Sequence, residues 1–260
     1  MSEGQHGVKE LEGRLSERSA ELLQVTEELD TFLYSVSHDL RSPLGAILNF
    51  AAILEEDLAG RLSEEERSHL ERIRASAASA LAMMEGLLVL SRVWREPLRR
   101  ELVDMDALAR EVFAEVSASA PRPGTCFSCD ALPPVEADAQ MMRVVWSNLL
   151  GNALKYAARR DPPRIHVSSR RLEGAVEFRV EDNGAGFDPR YSERLFRPFQ
   201  RLHSDEEFRG VGIGLAVVAR AVRRHGGSVR AEAEVGRGAT FRFALPLTPP
   251  AGDRVIGGGS

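Results

Sequence analysis

Apolar residues recur alternately four and three positions apart along the N-terminal stretch, at Leu11, Leu15, Leu22, Val25, Leu29, Phe32 and Val36, with Arg18 as the polar break in the seam. A heptad repeat of this kind predicts a coiled coil over residues 1–30, and a helix with such a stripe needs a partner to bury it. Past Pro43 the stripe resumes in a shifted register at Leu44, Ile47, Ala51, Leu54 and Leu58, and it ends near Gly60, a residue suited to a helix C-cap. Ser63 then offers an N-cap with Glu64 to Glu66 in the first turn and Glu66 at the capping-box position. The second helix runs through Leu70, Ile73, Ala77, Leu81, Met84 and Leu88 to about Trp94, where Pro97 stops it. Residues 31–97 therefore read as a helical hairpin, and two hairpins make a four-helix bundle. Met83 and Met84 read as core filler.

After Pro97 the pattern changes to shorter elements, which marks a domain boundary. Asp104 caps a helix whose stripe is Met105, Leu108, Val112, Phe113 and Val116, and a turn-rich stretch over 117–136 holds one strand at 125–129. Another helix starts near Asp138 and turns Met142, Val145, Trp146, Leu149 and Ala153 inward. Alternating strands follow over 164–169 and 175–181, with Ile165, Val167, Val176, Phe178 and Val180 on one side. A glycine-rich region over 182–214, a helix over 213–225 ended by Gly226 and Gly227, and strands over 228–234 and 240–245 complete the pattern. Helices and a mixed, mostly antiparallel sheet in this order predict an α/β sandwich over 98–248, followed by a loose tail over 249–260. The fold class is thus multidomain, α followed by α+β.

Composition narrows the classes of function. The chain has 260 residues, 43% apolar and 28% charged, enough for two domains with cores, and its net charge of -5 speaks against a nucleic-acid binder that works by neutralising phosphates. No apolar run approaches the roughly 18 residues of a membrane span, so a cytoplasmic chain, or a piece of a longer one, is expected. Cys126 and Cys129 form a lone C-x-x-C with no second pair to complete a zinc site, and strand alternation puts them on opposite faces, which makes them structural.

Candidate chemistry sits in two places. His38 lies beside Asp39 and ahead of Pro43 in an amphipathic helix, and an imidazole is a usable nucleophile when one nitrogen is open and the other donates to a carboxylate. Pro43 is expected to bend that helix. More than a hundred residues later, Asn148, Asn152 and Lys155 fall within about 60° on one helix face. Such a group suits a hydrated magnesium ion and the phosphates it bridges, and it is also the pattern of a solvated helix face. The strand over 175–181 runs into Asp182, Gly184 and Gly186, where glycines let backbone approach a flat ligand while the carboxylate accepts from an exocyclic amine. Gly210, Gly212 and Gly214 follow, the last at the mouth of a helix, where backbone N–H groups can face a phosphate.

These blocks, in this order, resemble the transmitter portion of a two-component sensor histidine kinase over nearly the whole chain. SHDLRSPL resembles the phospho-acceptor box, NLLGNALKY the N box, DNGAGF the G1 box, LFRPFQRL the F box, GVGIGLA the G2 box and GRGATFRF the closing strand motif, with the flanking helices most similar to the phytochrome-associated kinases. The resemblance implies a dimeric bundle and an ATP-binding domain of the histidine kinase and gyrase type. It implies that His38 takes the γ-phosphoryl group of ATP on Nε2, that Asp39 holds the other nitrogen as general base, and that Arg41 lies near the transferred phosphate. It implies that Asn152 ligates magnesium beside Asn148, that Lys155 and Tyr156 contact phosphate, and that Asp182 reads the adenine amine with help from Thr240 through water. Gly184 and Gly186 would shape the base pocket, Gly210, Gly212 and Gly214 would anchor a lid, and Phe196 and Phe199 would pack it. The implied partners are a second copy of the chain, a response-regulator receiver domain, and a sensor that is absent or supplied by another chain.

Two rival readings remain at this level. A plain ATPase of the same nucleotide-binding fold, resembling DNA gyrase, would use a Glu base where this chain has Asn148, and a non-catalytic dimer scaffold would not need the nucleotide motifs. Ser42 stands where family members that dephosphorylate their partner often carry Thr or Asn, and its hydroxyl can still orient a water, so phosphatase activity is left open. His6, His69, His166, His203 and His225 read as disordered, surface, strand, lid or helix-end residues without a role in the chemistry.

Overall fold

In the computed structural model, residues 13–14, 17–18, 35–95, 98–200 and 212–247 are described. The heptad seam up to Phe32, apart from Arg18, and with it the coiled-coil expectation, lies outside them, as do Gly210, His203, His6 and the tail from Thr248. Two compact units divide at Ser91 and Arg92.

The first unit is a helical hairpin. Helix α1 is continuous over 35–57, unbroken at Pro43, and the chain turns at 58–60 with Gly60 at φ +77. Positive φ there is the conformation a glycine adopts without a steric cost. Helix α2, Glu64–Arg95, opens with the expected capping box: the Ser63 hydroxyl accepts from the Glu66 N–H at 3.2 Å, and the Ser63 N–H donates to the Glu66 carboxylate at 2.8 Å. Arg74 pairs with Glu55 between the two helices. Ala51, Ala77 and Met84 are buried, whereas Ile47, Phe50, Ile53, Leu54, Ile73 and Met83 are exposed. Met83 therefore departs from the core expectation. Two helices can cover only one side of each other, and the remaining apolar stripe stays open in a single chain.

The second unit is the expected sandwich. Its elements are β1 (Arg100–Val103), α3 (Met105–Ser119), β2 (Cys126–Cys129), β3 (Val135–Asp138), α4 (Ala139–Ala157), β4 (Arg164–Leu172), β5 (Ala175–Asp182), α5 (Gly214–Arg224), β6 (Ser228–Glu234) and β7 (Gly238–Pro246). Five strands form a sheet in the order β2-β4-β5-β7-β6, antiparallel except for β2 beside β4, and β1 pairs with β3 in a separate antiparallel ribbon. Along β5, positions alternate strictly between half-buried and buried, so Val176, Phe178 and Val180 face the helices while Glu177, Arg179 and Glu181 face outward. Trp146 of α4 fills the centre, its ring edge-on to Phe178 at 6.0 Å and Phe243 at 5.2 Å. Strands β1 and β3 were not foreseen. Each has four residues and no clean alternation.

Candidate functional site

Helix α1 presents His38 to solvent. The ring is 71% exposed, and Nδ1 lies 3.3 Å from Asp39 Oδ1, while Ser37 just before it is buried. Arg41, one turn on, is exposed as well. An imidazole held through Nδ1 keeps Nε2 available as a nucleophile.

The second unit gathers the remaining candidates around the C-terminal half of α4. Asp138 caps that helix by accepting from the Met141 N–H, and the stripe of Met142, Val145, Trp146 and Leu149 seats it on the sheet. Asn148, Asn152, Lys155 and Tyr156 are thereby left half-buried. Asn148 donates from Nδ2 to the Val144 carbonyl at 2.8 Å. Its Oδ1 lies 2.3 Å from where a Cβ on Gly214 would stand, so the Asn148 side chain holds this position only while residue 214 is glycine. Lys155 Nζ lies 4.6 Å from the centre of the Tyr156 ring and 3.3 Å from its hydroxyl.

Asp182 ends β5 almost wholly buried, 5% exposed. Burial pushes its carboxyl up to about 6, against the pull of hydrogen bonds from the Gly184 and Ala239 N–H groups. The loop that follows is packed too closely for a side chain at its two glycines. A Cβ on Gly184 would meet the Tyr156 carbonyl carbon and oxygen at 2.6 Å, and one on Gly186, at φ +64, would meet the Glu234 oxygen at 2.0 Å. The Ala185 N–H donates to the Tyr156 carbonyl at 3.2 Å, which fastens this loop to the end of α4. Beyond it, the Phe199 N–H donates to the Gly212 carbonyl at 2.9 Å and joins the two sides of the undescribed stretch 201–211. Phe199 has φ +62 and is 51% exposed among the described residues, and the lid it was expected to pack lies outside them.

Two expectations change. Thr240 pairs with Glu181 and alternates to the outward side of β7, whereas Ala239 pairs with Asp182 on the buried side, so the residue next to the carboxylate is Ala239. His225 ends α5, as one alternative had it, but it is buried rather than at the surface. It is 1% exposed, its Nδ1 donates to the Ala221 carbonyl at 2.7 Å, and its Nε2 accepts the Asp138 N–H at 3.0 Å. Asn183 was also missed as a structural residue: Oδ1 accepts from the Arg164 N–H and Nδ2 donates to the Pro162 carbonyl, which anchors the loop after Asp182 from its far side.

Residues 28–93 match the family model of the His Kinase A phospho-acceptor domain, and residues 137–249 that of the histidine kinase-, DNA gyrase B- and HSP90-like ATPase, together more than half of the chain. The methanogenesis regulatory histidine kinase FilI of Methanothrix harundinacea is 34% identical over 235 residues, 90% of this chain and 26% of that protein. Cyanobacterial phytochrome A of Nostoc sp. is 30% identical over 233 residues, 90% of this chain and 30% of that protein. The solved structure of full-length ShkA in complex with AMPPNP aligns at a TM-score of 0.60 and 30% identity, covering 84% of this chain and 46% of that one. The chain therefore spans under a third of the length of these curated relatives.

Proposed function

Because the chain belongs to the two-component sensor histidine kinases, whose transmitter region it carries, we propose that it phosphorylates itself on His38 from ATP and passes the phosphoryl group to an aspartate of a response-regulator receiver domain. The observation that carries this reading is the exposed His38 ring with Asp39 at Nδ1. The Nε2 lone pair attacks the γ-phosphorus, the bond to the β,γ-bridging oxygen breaks with its electrons leaving on ADP, and Asp39 holds and then accepts the Nδ1 proton. Arg41, three residues after His38 on the same side of the helix, offsets charge on the incoming phosphate.

The nucleotide would lie along α4, with Asp182 accepting from the adenine amine and the N-terminus of α5 at Gly214 facing the phosphates. Lys155 and Tyr156 would meet the phosphates, Gly184 and Gly186 would shape the base pocket by letting their loop fold against the chain's own backbone, and Gly212 would anchor the lid. Among the described residues no group of three or more His, Cys, Asp or Glu converges as a metal cage. A magnesium ion, which keeps several waters and bridges phosphates, suits such a site, with Asn152 as its protein ligand; it would neutralise phosphate charge during transfer. Asn148, tied to Val144 and turned toward Gly214, shapes the wall instead.

The open stripe of Ile47, Phe50, Ile53, Leu54 and Ile73 on the hairpin supports a homodimer through a four-helix bundle. Among the described residues no helix is long and apolar enough to cross a membrane. Incubation with γ-labelled ATP tests the whole reading: an acid-labile, base-stable phosphoprotein is expected, and His38→Gln that labels as strongly as the parent would sink it.

A further inference from the structure

Just past the end of α4, Arg160 sends its guanidinium back over the loop that follows Asp182. Nε donates to the Asn183 carbonyl at 2.8 Å, and Nη2 donates to the Gly184 carbonyl at 3.1 Å and to the Gly236 carbonyl. These acceptors belong to two segments that already meet through the Gly236 N–H and the Ala185 carbonyl, 2.7 Å apart. Arg160 closes the junction from the flank.

The meaning of these bonds lies in peptide planarity. A C=O and the following N–H are rigidly coupled and point in opposite directions, so holding one aims the other. The carbonyl of Asn183 shares its peptide plane with the Gly184 N–H, which donates to Asp182 Oδ1 at 2.8 Å. The carbonyl of Gly184 shares its plane with the Ala185 N–H, which donates to the Tyr156 carbonyl. One side chain thus grips two successive planes, and the far edges of those planes hold the buried carboxylate and the end of α4. Gly184 has no Cβ to resist rotation of either plane, so an external grip is needed.

We propose that Arg160 is a positioning residue for nucleotide recognition: it fixes the two peptide planes after Asp182 and so keeps that carboxylate aimed at the base. The inference rests on the reading of Asp182 as the adenine contact. It assigns Arg160 no contact with nucleotide. A guanidinium suits the task because its planar fork carries several donors at fixed angles, whereas an ammonium offers a point charge that satisfies one carbonyl well. Glu181, the neighbouring carboxylate on β5, faces the other side of the sheet and pairs with Arg179 at 2.6 Å, so it does not compete for the same donors.

Calorimetric titration of the full chain with ATP tests this, using Arg160→Gln, Arg160→Lys, Asp182→Asn and the double variant Arg160→Gln/Asp182→Asn. Arg160→Gln should weaken ATP binding about tenfold, the scale of losing charge-assisted hydrogen bonds, and Arg160→Lys should recover little of it. Adenosine should show the same loss as ATP. The double variant should bind no more weakly than Asp182→Asn alone, because Arg160 acts through that carboxylate. The pH midpoint of binding should also rise in Arg160→Gln, since Asp182 loses a hydrogen bond that favours its ionised form. Full affinity in Arg160→Gln, recovery by Arg160→Lys, losses that add in the double variant, or a loss confined to ATP with adenosine unaffected would each overturn the proposal. Failure of the parent itself to bind ATP would overturn the nucleotide reading beneath it. Melting temperatures without nucleotide identify a variant that has lost its fold, and Arg160→Lys, which keeps charge and length, then carries the comparison.

Discussion

The ring of His225 accepts the backbone N–H of Asp138 at 3.0 Å, a bond across 87 positions of the chain. It ties the last turn of α5 to the first turn of α4. Asp138 in turn caps α4 and accepts the Arg99 N–H, so one buried junction holds two helix ends and the strand that enters the unit.

Neutral His225 is required for that junction, and burial lowers its pKa below the ordinary 6.5, with Arg100 and Arg224 acting in the same sense and the Ala221 bond and Asp138 opposing. The unfolded chain therefore takes up the proton first. Stability is fully present above pH 6.5 and is lost as pH falls through the lower folded value. His225→Ala should cost about 2–4 kcal/mol and flatten this dependence in denaturant titrations between pH 7 and 5. An unchanged pH slope would show that the charge of His225 is irrelevant.

Asp182 acts with the opposite sign on the empty protein. Its carboxyl, pushed up to about 6, is uncomfortable when ionised, so the unliganded fold gains stability from this group as pH falls below about 6. On the proposed reading of Asp182 as the adenine contact, ATP binding needs the ionised form to accept from the amine. Affinity should fall about tenfold between pH 7 and 5 in the parent and hardly at all in Asp182→Asn, which should bind weakly throughout. Titrations across that range compare the two.

Two glycines with positive φ separate strain from collision. Gly236 sits at φ +78 with open space around its missing Cβ, whereas Gly186 at φ +64 would drive a Cβ to 2.0 Å from Glu234. Gly236→Ala should cost about 1 kcal/mol. Gly186→Ala should cost at least about 3 kcal/mol and abolish ATP binding. Thermal melts with and without ATP would distinguish them, and equal losses would contradict the packing described for this loop.

Removing the Ser63 cap tests the hairpin by itself. Ser63→Ala leaves the Glu66 N–H without its hydroxyl partner and should lower stability by about 1 kcal/mol, as measured by urea denaturation followed by circular dichroism. ATP affinity should not change, because the cap lies in the other unit.

Much of this could be read from the chain because the signals are local. The Ser63 and Glu66 pair is three residues apart, the stripe of α4 repeats within one helix, and β5 alternates throughout while β4 alternates over its first half. What escaped depends on contacts distant in sequence. Strands β1 and β3 make sense only once they pair with each other. His225 stands between two arginines and two glycines, a setting that spells surface, yet its partner is at Asp138. Arg160 reaches carbonyls 23, 24 and 76 positions away, and a backbone carbonyl carries no sequence signature. The place of Thr240 has a different cause: the pleat gives adjacent residues opposite faces, so the residue across from Asp182 is Ala239.

The bond from Ala185 to the Tyr156 carbonyl has a mechanical consequence. It mounts the loop after Asp182 on the same rod that bears Asn148 and Asn152, with about 12 Å of helix from Asn148 to Tyr156. On the proposed reading, both ends of the nucleotide would thus be gauged against one stiff element, and motion elsewhere in the unit would change how tightly it is gripped without changing the span it must fill.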